Sequence, residues 1–165
     1  MHSRTIPLRF VAQDRDHFVA DWHQTVVCVF RGAPTLQHVL NMSNACTALL
    51  DRQATRVTYL SVIERSSPAP TDTVRRELAV FSRNVVTKLA LAVIVAEGGG
   101  FKNAIVRGVG VALTVLIPHQ VPFKFTSNVE EGATLVAPFL PVDSGGASAL
   151  ISAVSAGRKL WEQSL

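Results

Sequence analysis

The stretch from residue 88 to 117, KLALAVIVAEGGGFKNAIVRGVGVALTVLI, limits what this chain can become more than any other. Its first part, Leu89 to Ala96, is an unbroken apolar run rich in Val and Ile, bounded by Lys88 and Glu97. Such a run predicts a central strand covered on both faces. Gly98, Gly99 and Gly100 then open backbone conformations closed to other residues, so the chain can turn sharply and start a helix at Phe101. Within that helix, to Ile117, only Lys102, Asn103, Arg107 and Thr114 are clearly polar. A helix apolar nearly all round belongs in a core or a subunit contact. Its uninterrupted part, Gly108 to Ile117, is far short of the roughly 20 residues that cross a bilayer, so no membrane span is expected.

Composition narrows the class. A chain of 165 residues, 48% hydrophobic and 17% charged, fills one core and is too short for two ordinary domains. One domain is expected over 1–165, with an α/β core at 5–141 and a turn plus helix at 142–165. The apolar content excludes a disordered chain. The opening MHSRTIPLRF has neither the apolar run nor the cleavage site of a secretory signal, and a cytoplasmic location follows as an expectation. Cys28 and Cys46 occupy apolar periodic positions, as buried reduced thiols do, although the sequence leaves a disulfide between them open. The net charge of +4 is spread from Arg4 to Lys159 without a dense stripe, which argues against nucleic acid as a partner.

Taken in order, residues 5–13 and 17–22 alternate in polarity around the turn-prone Asp14-Arg15-Asp16 and predict a hairpin or edge strands. Residues 24–31, QTVVCVFR, predict a stronger strand. From Leu36 to Arg52, the positions Leu36, Val39, Leu40, Cys46, Leu49 and Leu50 recur at helical spacing. Residues 56–63, RVTYLSVI, return as a strand, followed by the loop-like ERSSPAPTD. Asp72 or Thr73 can cap the next helix, which carries Val74, Leu78, Phe81 and Val85 on one face. After the central unit comes a short strand at 121–126, then a helix from Ser127, whose spacing to Glu130 is that of a capping box. A last helix from about Ala147 to Trp161 carries Leu150, Ile151, Val154 and Trp161 in a stripe. The fold class is therefore α/β: a mainly parallel sheet of alternating strands and helices, preceded by a short β-hairpin and followed by a C-terminal helix.

The segments VVCVFRGAPT, VTYLSVIE, VAEGGGFKNAIVRGVGVAL and VPFKFTSNVEEG, in that order, resemble the STAS-like group, named for sulphate transporters and anti-sigma factor antagonists, with its small relatives shared with SEC14-type lipid-binding modules. The resemblance covers roughly residues 22 to 140 and is one of topology and pattern. It implies a non-enzymatic binding or regulatory module of bacterial signalling type. Some members present a phosphorylatable serine at the start of the helix after a central strand. Here the corresponding strand leads into Glu64-Arg65-Ser66-Ser67-Pro68, without the Asp-Ser pair of those members; Asp143-Ser144-Gly145-Gly146 resembles that motif but lies in another topological place.

Three candidate sites follow. The loop from Glu64 to Thr73 leaves the carboxyl end of a parallel strand, where open α/β sheets bind ligands. Its hydroxyls Ser66, Ser67, Thr71 and Thr73 are candidate phospho-acceptors or ligand contacts, beside Arg65, Arg75 and Arg76; an ordinary solvated loop with a capping residue is the competing account. The turn Gly98, Gly99 and Gly100, with Lys102, can offer N–H groups to an anion or be only a tight turn. If it is structural, a bulky residue at Gly99 is expected to disrupt folding. Gly108, Val109, Ala112 and Leu116 form a candidate interface, since glycines inside a helix allow close approach. His2, His17, His23, His38 and His119 show no metal-ligand spacing, and no nucleophile motif occurs. Neither a metal nor a cofactor is expected. The sequence thus predicts a protein-binding module that associates with a partner or itself, and in second place a carrier or sensor of an apolar, lipid-like molecule held between the sheet and helix 101–117.

Overall fold

In the computed structural model of the chain, residues 6–52, 56–99 and 123–165 are described. Six strands, β1 (Arg9–Gln13), β2 (His17–Trp22), β3 (Thr25–Phe30), β4 (Thr58–Ile63), β5 (Leu91–Ala96) and β6 (Phe123–Thr126), form one sheet in chain order. β1, β2 and β3 pair antiparallel. From β3 to β6 the pairing is parallel. The described helices are α1 (Leu36–Arg52), α2 (Asp72–Asn84), α3 (Val129–Val136) and α4 (Gly146–Gln163). The expected α/β architecture, with its opening hairpin and its closing helix, is the one adopted. The expected helix 101–117, and with it Gly100, Lys102, Gly108, Val109, Ala112 and Leu116, lies outside the described residues. None of the described helices is long and apolar enough to cross a membrane.

Side-chain alternation along the strands divides the interior into two layers. On one face Phe18, Val27, Val29, Leu60, Val62, Val93 and Val95 pack against α3 and α4, chiefly Ala133, Val136, Leu150, Val154 and Trp161. On the other, Val26, Cys28, Phe30, Tyr59 and Ala92 pack against α1 and α2 through Met42, Cys46, Leu49, Val74 and Phe81. Both thiols are buried and unbridged there. Strands laid down in sequence order with crossovers of one hand put successive crossover helices on one face, as α1 and α2 are.

Two helix starts differ by a residue from the sequence expectation. Thr71, not Asp72 or Thr73, caps α2, its hydroxyl accepting the Val74 N–H at 3.4 Å. Asn128, not Ser127, caps α3. Its Oδ1 accepts from Glu131 N–H at 2.8 Å, and the Glu131 carboxylate turns back to Asn128 Nδ2 at 3.0 Å. The other Glu131 oxygen accepts the Ser127 N–H at 3.4 Å, so Asn128 and Glu131 cap the helix as a variant of the capping box; that phase points Val129, Ala133 and Val136 inward.

The glycine turn needs its first residue rather than its second. Gly98 has φ +93°, and a Cβ there would stand 2.8 Å from Arg65 Cγ, whereas one at Gly99 would meet nothing within 4 Å among the described residues. Gly132 is a second tight point, where α3 lies so close to the sheet that a Cβ would stand 2.8 Å from Val95 Cγ2. Gly98→Ala should therefore cost about 1–2 kcal/mol in chemical denaturation, while Gly99→Ala should stay within about 0.5 kcal/mol of the parent.

Candidate functional site at the carboxyl edge of the sheet

The register of the parallel strands places three charged residues in one row. Val29 pairs with Val62, and Val62 with Val95; these valines face α3 and α4. Two residues further along each strand, with the same parity, stand Arg31, Glu64 and Glu97. The ladder continues into this row, since Glu64 N–H donates to Phe30 O and Glu97 N–H to Ile63 O, both at 2.9 Å. Adjacent opposite charges attract and adjacent like charges repel. Arg31 beside Glu64 is therefore favourable, and Glu64 beside Glu97 needs a cation.

α4 supplies it. The helical stripe Leu150, Val154, Arg158 and Trp161 points at the sheet, so Arg158 arrives where the two glutamates end. Its guanidinium reaches Glu97 through Nη1 at 2.8 Å and Nη2 at 2.9 Å, and Nη2 lies 2.8 Å from Glu64 Oε1. Arg31 holds the other side of Glu64, Nε to Oε2 at 2.8 Å, and extends Nη2 to Glu162 at 3.0 Å. Its guanidinium carbon also stands 4.2 Å over the ring of Trp161, a cation–π contact. Glu64 is only 8% exposed, so the charge at the centre of this lattice is well shielded from water.

The electrostatics follow. Hydrogen bonding to Glu97, with the charges of Glu97 and Glu64, raises the pKa of Arg158 against a smaller effect of burial. Arg31 is raised in the same way, first by its hydrogen bond to Glu64. Both remain cations across the whole range in which the fold exists.

Beside the lattice runs a groove of about 440 Å³ between α3 and α4. Val129, Ile151 and Val154 line it apolarly, and Glu97, Glu130, Arg158, Lys159 and Glu162 give it charged walls. The N-terminal turn of α3 opens onto it with Asn128 and Glu130, and Glu130 and Glu131 suit that end of the helix dipole.

The sequence candidates fall around this edge. Ser66 and Ser67 act as clamps, their hydroxyls donating to the carbonyls of Arg31 and Gly32, each at 2.9 Å. Ser66 is exposed and Ser67 buried. Thr71 is the α2 cap, and Thr73 accepts from Arg76 at 3.4 Å. Gly98 touches the same loop through Arg65, so two of the candidate segments meet here. Arg31, Glu64, Glu97, Arg158 and Glu162 were not singled out by the sequence. Their signal was the parity of residues just past three strands, readable only once the register is known.

Other reactive groups lie away from the edge. Burial pushes the Cys46 thiol up to about 12, and burial with the nearby Cys46 raises that of Cys28. On the hairpin, Asp21 pairs with Arg9 and, at 2.6 Å, with Arg52 at the end of α1, tying β1 and β2 to that helix. Among the described residues no cluster of three or more His, Cys, Asp or Glu can hold a metal.

Two outcomes are expected. Glu64→Gln should cost about 1–3 kcal/mol in chemical denaturation, because it removes the buried carboxylate shared by Arg31 and Arg158 and leaves each with one partner, Glu162 and Glu97, whereas Glu162→Gln, at the exposed end, should cost less than about 0.5 kcal/mol. Neither cysteine should react with a thiol reagent at pH 8 in the native state, and both should react once the chain is unfolded. Compared with protein-family models, curated proteins and solved structures, the chain finds no match, so a functional reading rests on its own residues.

Proposed function

We propose that the chain is a non-enzymatic, STAS-like regulatory module that acts by binding a protein partner or a second copy of itself, and that the contact is made at the carboxyl edge of the sheet. One observation carries this reading: the buried and half-buried acids and bases at the centre of that edge are committed to one another. Arg31, Glu64, Arg158 and Glu97 hold each other at 2.8–2.9 Å. General acid–base catalysis needs a group that exchanges a proton with substrate, and a nucleophile needs a lowered pKa or an adjacent base; the thiols are shifted the opposite way. What the edge offers is fixed charge in fixed geometry around an apolar floor. That is the anatomy of a binding surface, with apolar centre and polar rim.

A cytoplasmic setting fits the reading, since two reduced, buried thiols suit a reducing compartment. The scattered positive charge favours a protein over nucleic acid. A second reading is a carrier of a small molecule with an apolar body and a charged end. The groove itself favours it, because about 440 Å³ lies within the range of ligand pockets. That groove lies between α3 and α4; helix 101–117, where the sequence places the ligand, lies outside the described residues.

Native mass spectrometry of the purified chain, beside its denatured mass, separates the readings. The first predicts a dimer, a higher oligomer or a retained protein partner without extra small mass, lost in a folded Ile151→Arg variant. A monomer shedding a small molecule on denaturation puts the carrier first. A bare monomer at all concentrations, with turnover of a substrate, contradicts both.

A further inference from the structure

The turn between β1 and β2 is where three elements are fastened. Asp14 Oδ1 accepts the N–H groups of Asp16 and His17, at 2.8 and 2.9 Å. Its Oδ2 lies 2.7 Å from Nε2 of His38 on α1, and its carbonyl accepts the indole N–H of Trp161 on α4 at 2.6 Å. The carbonyl of Asp16 accepts from Arg31 and Gly32, at 2.8 and 3.1 Å. This turn therefore ties the carboxyl edge to the start of α1.

His38 has a fixed tautomer in this arrangement. Its Nδ1 accepts the Thr35 N–H at 3.2 Å, so the ring proton sits on Nε2, facing Asp14. Stacked on it, with centroids 4.4 Å apart, is His17. His17 is fully buried, 4.6 Å from Phe30, and neither of its ring nitrogens has a hydrogen-bond partner among the described residues. An unpaired buried polar ring costs stability, and an apolar ring would fill the space without that cost.

We propose that the His17–His38 stack is a proton-operated latch, which gives way locally on mild acidification and frees the first β-turn from α1 and from Trp161. Closed, His17 has no place for another proton: it would find no acceptor there and would lie against a second imidazole. Once opened to water, an imidazole takes a proton near pH 6.5. Burial, helped by His38 and opposed by the Asp14 carboxylate, holds closed His17 down to about 3.

The sign of the effect follows. Between about pH 6.5 and 3 the open form binds a proton that the closed form refuses. The closed turn keeps its full stability above that window, and each pH unit lower raises the open population by up to about tenfold. The groups that act on the His17 ring are the Asp14 carboxylate from the turn, His38 from α1 and uncharged Phe30 from β3; Trp161, with Arg31 over its ring, packs with Phe18 on the other face of the sheet. The latch does not depend on the edge being a binding surface; if it is, acidification loosens the Arg31 side of it.

The two tryptophans give the test, because their indole N–H groups report different ends of the sheet: Trp161 on Asp14, Trp22 on the Ile6 carbonyl at 2.8 Å. In a nitrogen-15 spectrum titrated from about pH 7.5 to 5, the Trp161 indole signal should shift or broaden while that of Trp22 and the far-ultraviolet circular dichroism hold. His17→Phe should abolish that local transition. A wild-type measurement covers the case in which that variant does not fold: the His17 ring-proton shift should keep its neutral value until the Trp161 signal moves. The latch is overturned if both indoles and the dichroism change together, if His17 titrates while Trp161 is undisturbed, or if the transition persists in His17→Phe.

Discussion

Two glutamates end neighbouring parallel strands in register, and the repulsion between Glu64 and Glu97 sets a condition that the rest of the structure meets. Arg158 meets it with a single guanidinium directed at both. Arginine suits that task because its planar fork spans two carboxylates at once. A buried ion pair is weak evidence for net stability, since desolvation offsets much of the attraction. It is stronger evidence for where an element sits: α4 shifted by one residue would leave Glu64 and Glu97 shielded from water and facing each other. The lattice thereby fixes the rotation and height of the last helix against strands laid down more than 60 residues earlier.

Packing and charge agree along that helix. The stripe that carries Arg158 also buries Leu150, Val154 and Trp161 against the sheet. Trp161 meets Phe18 edge-on at 5.1 Å, and donates to the first β-turn. Arg31 completes the circuit by lying over the same indole. The hairpin, the parallel strands and the last helix are thus tied through one aromatic ring and one carboxylate. The loops serve this arrangement, with Ser66 and Ser67 clamping the segment after β4 to the turn after β3, and Gly98 letting the chain pass Arg65.

Much of the fold was legible because its signals are local. The apolar run at Leu91–Ala96 and the helical stripe of Leu36–Arg52 each carry their own periodicity. Where neighbours compete for one local role, the sequence did not pick out the residue that fills it: it named Ser127 where Asn128 is the cap, and it gave Gly98, Gly99 and Gly100 together where Gly98 carries the positive φ. In both cases the decision rests on phase, which is set by what packs inward. The site was not legible. Glu64 read as the start of a candidate loop, Glu97 as a strand boundary and Arg158 as an unremarked position on the last helix, because their meaning is a register between strands 33 residues apart. His17 was equally hidden, since burial on a β-strand from both sides is a property of the neighbours.

A double-mutant cycle between Glu64 and Arg158, using Glu64→Gln, Arg158→Met and the pair, tests the central claim most directly. If the carboxyl edge is a preassembled charge lattice, stability measured by denaturation should show a coupling of about 1–3 kcal/mol, with the double variant close to the worse single one. Additive effects, with coupling within about 0.3 kcal/mol, would contradict the account and leave Glu64 and Glu97 as independent carboxylates at the end of the sheet.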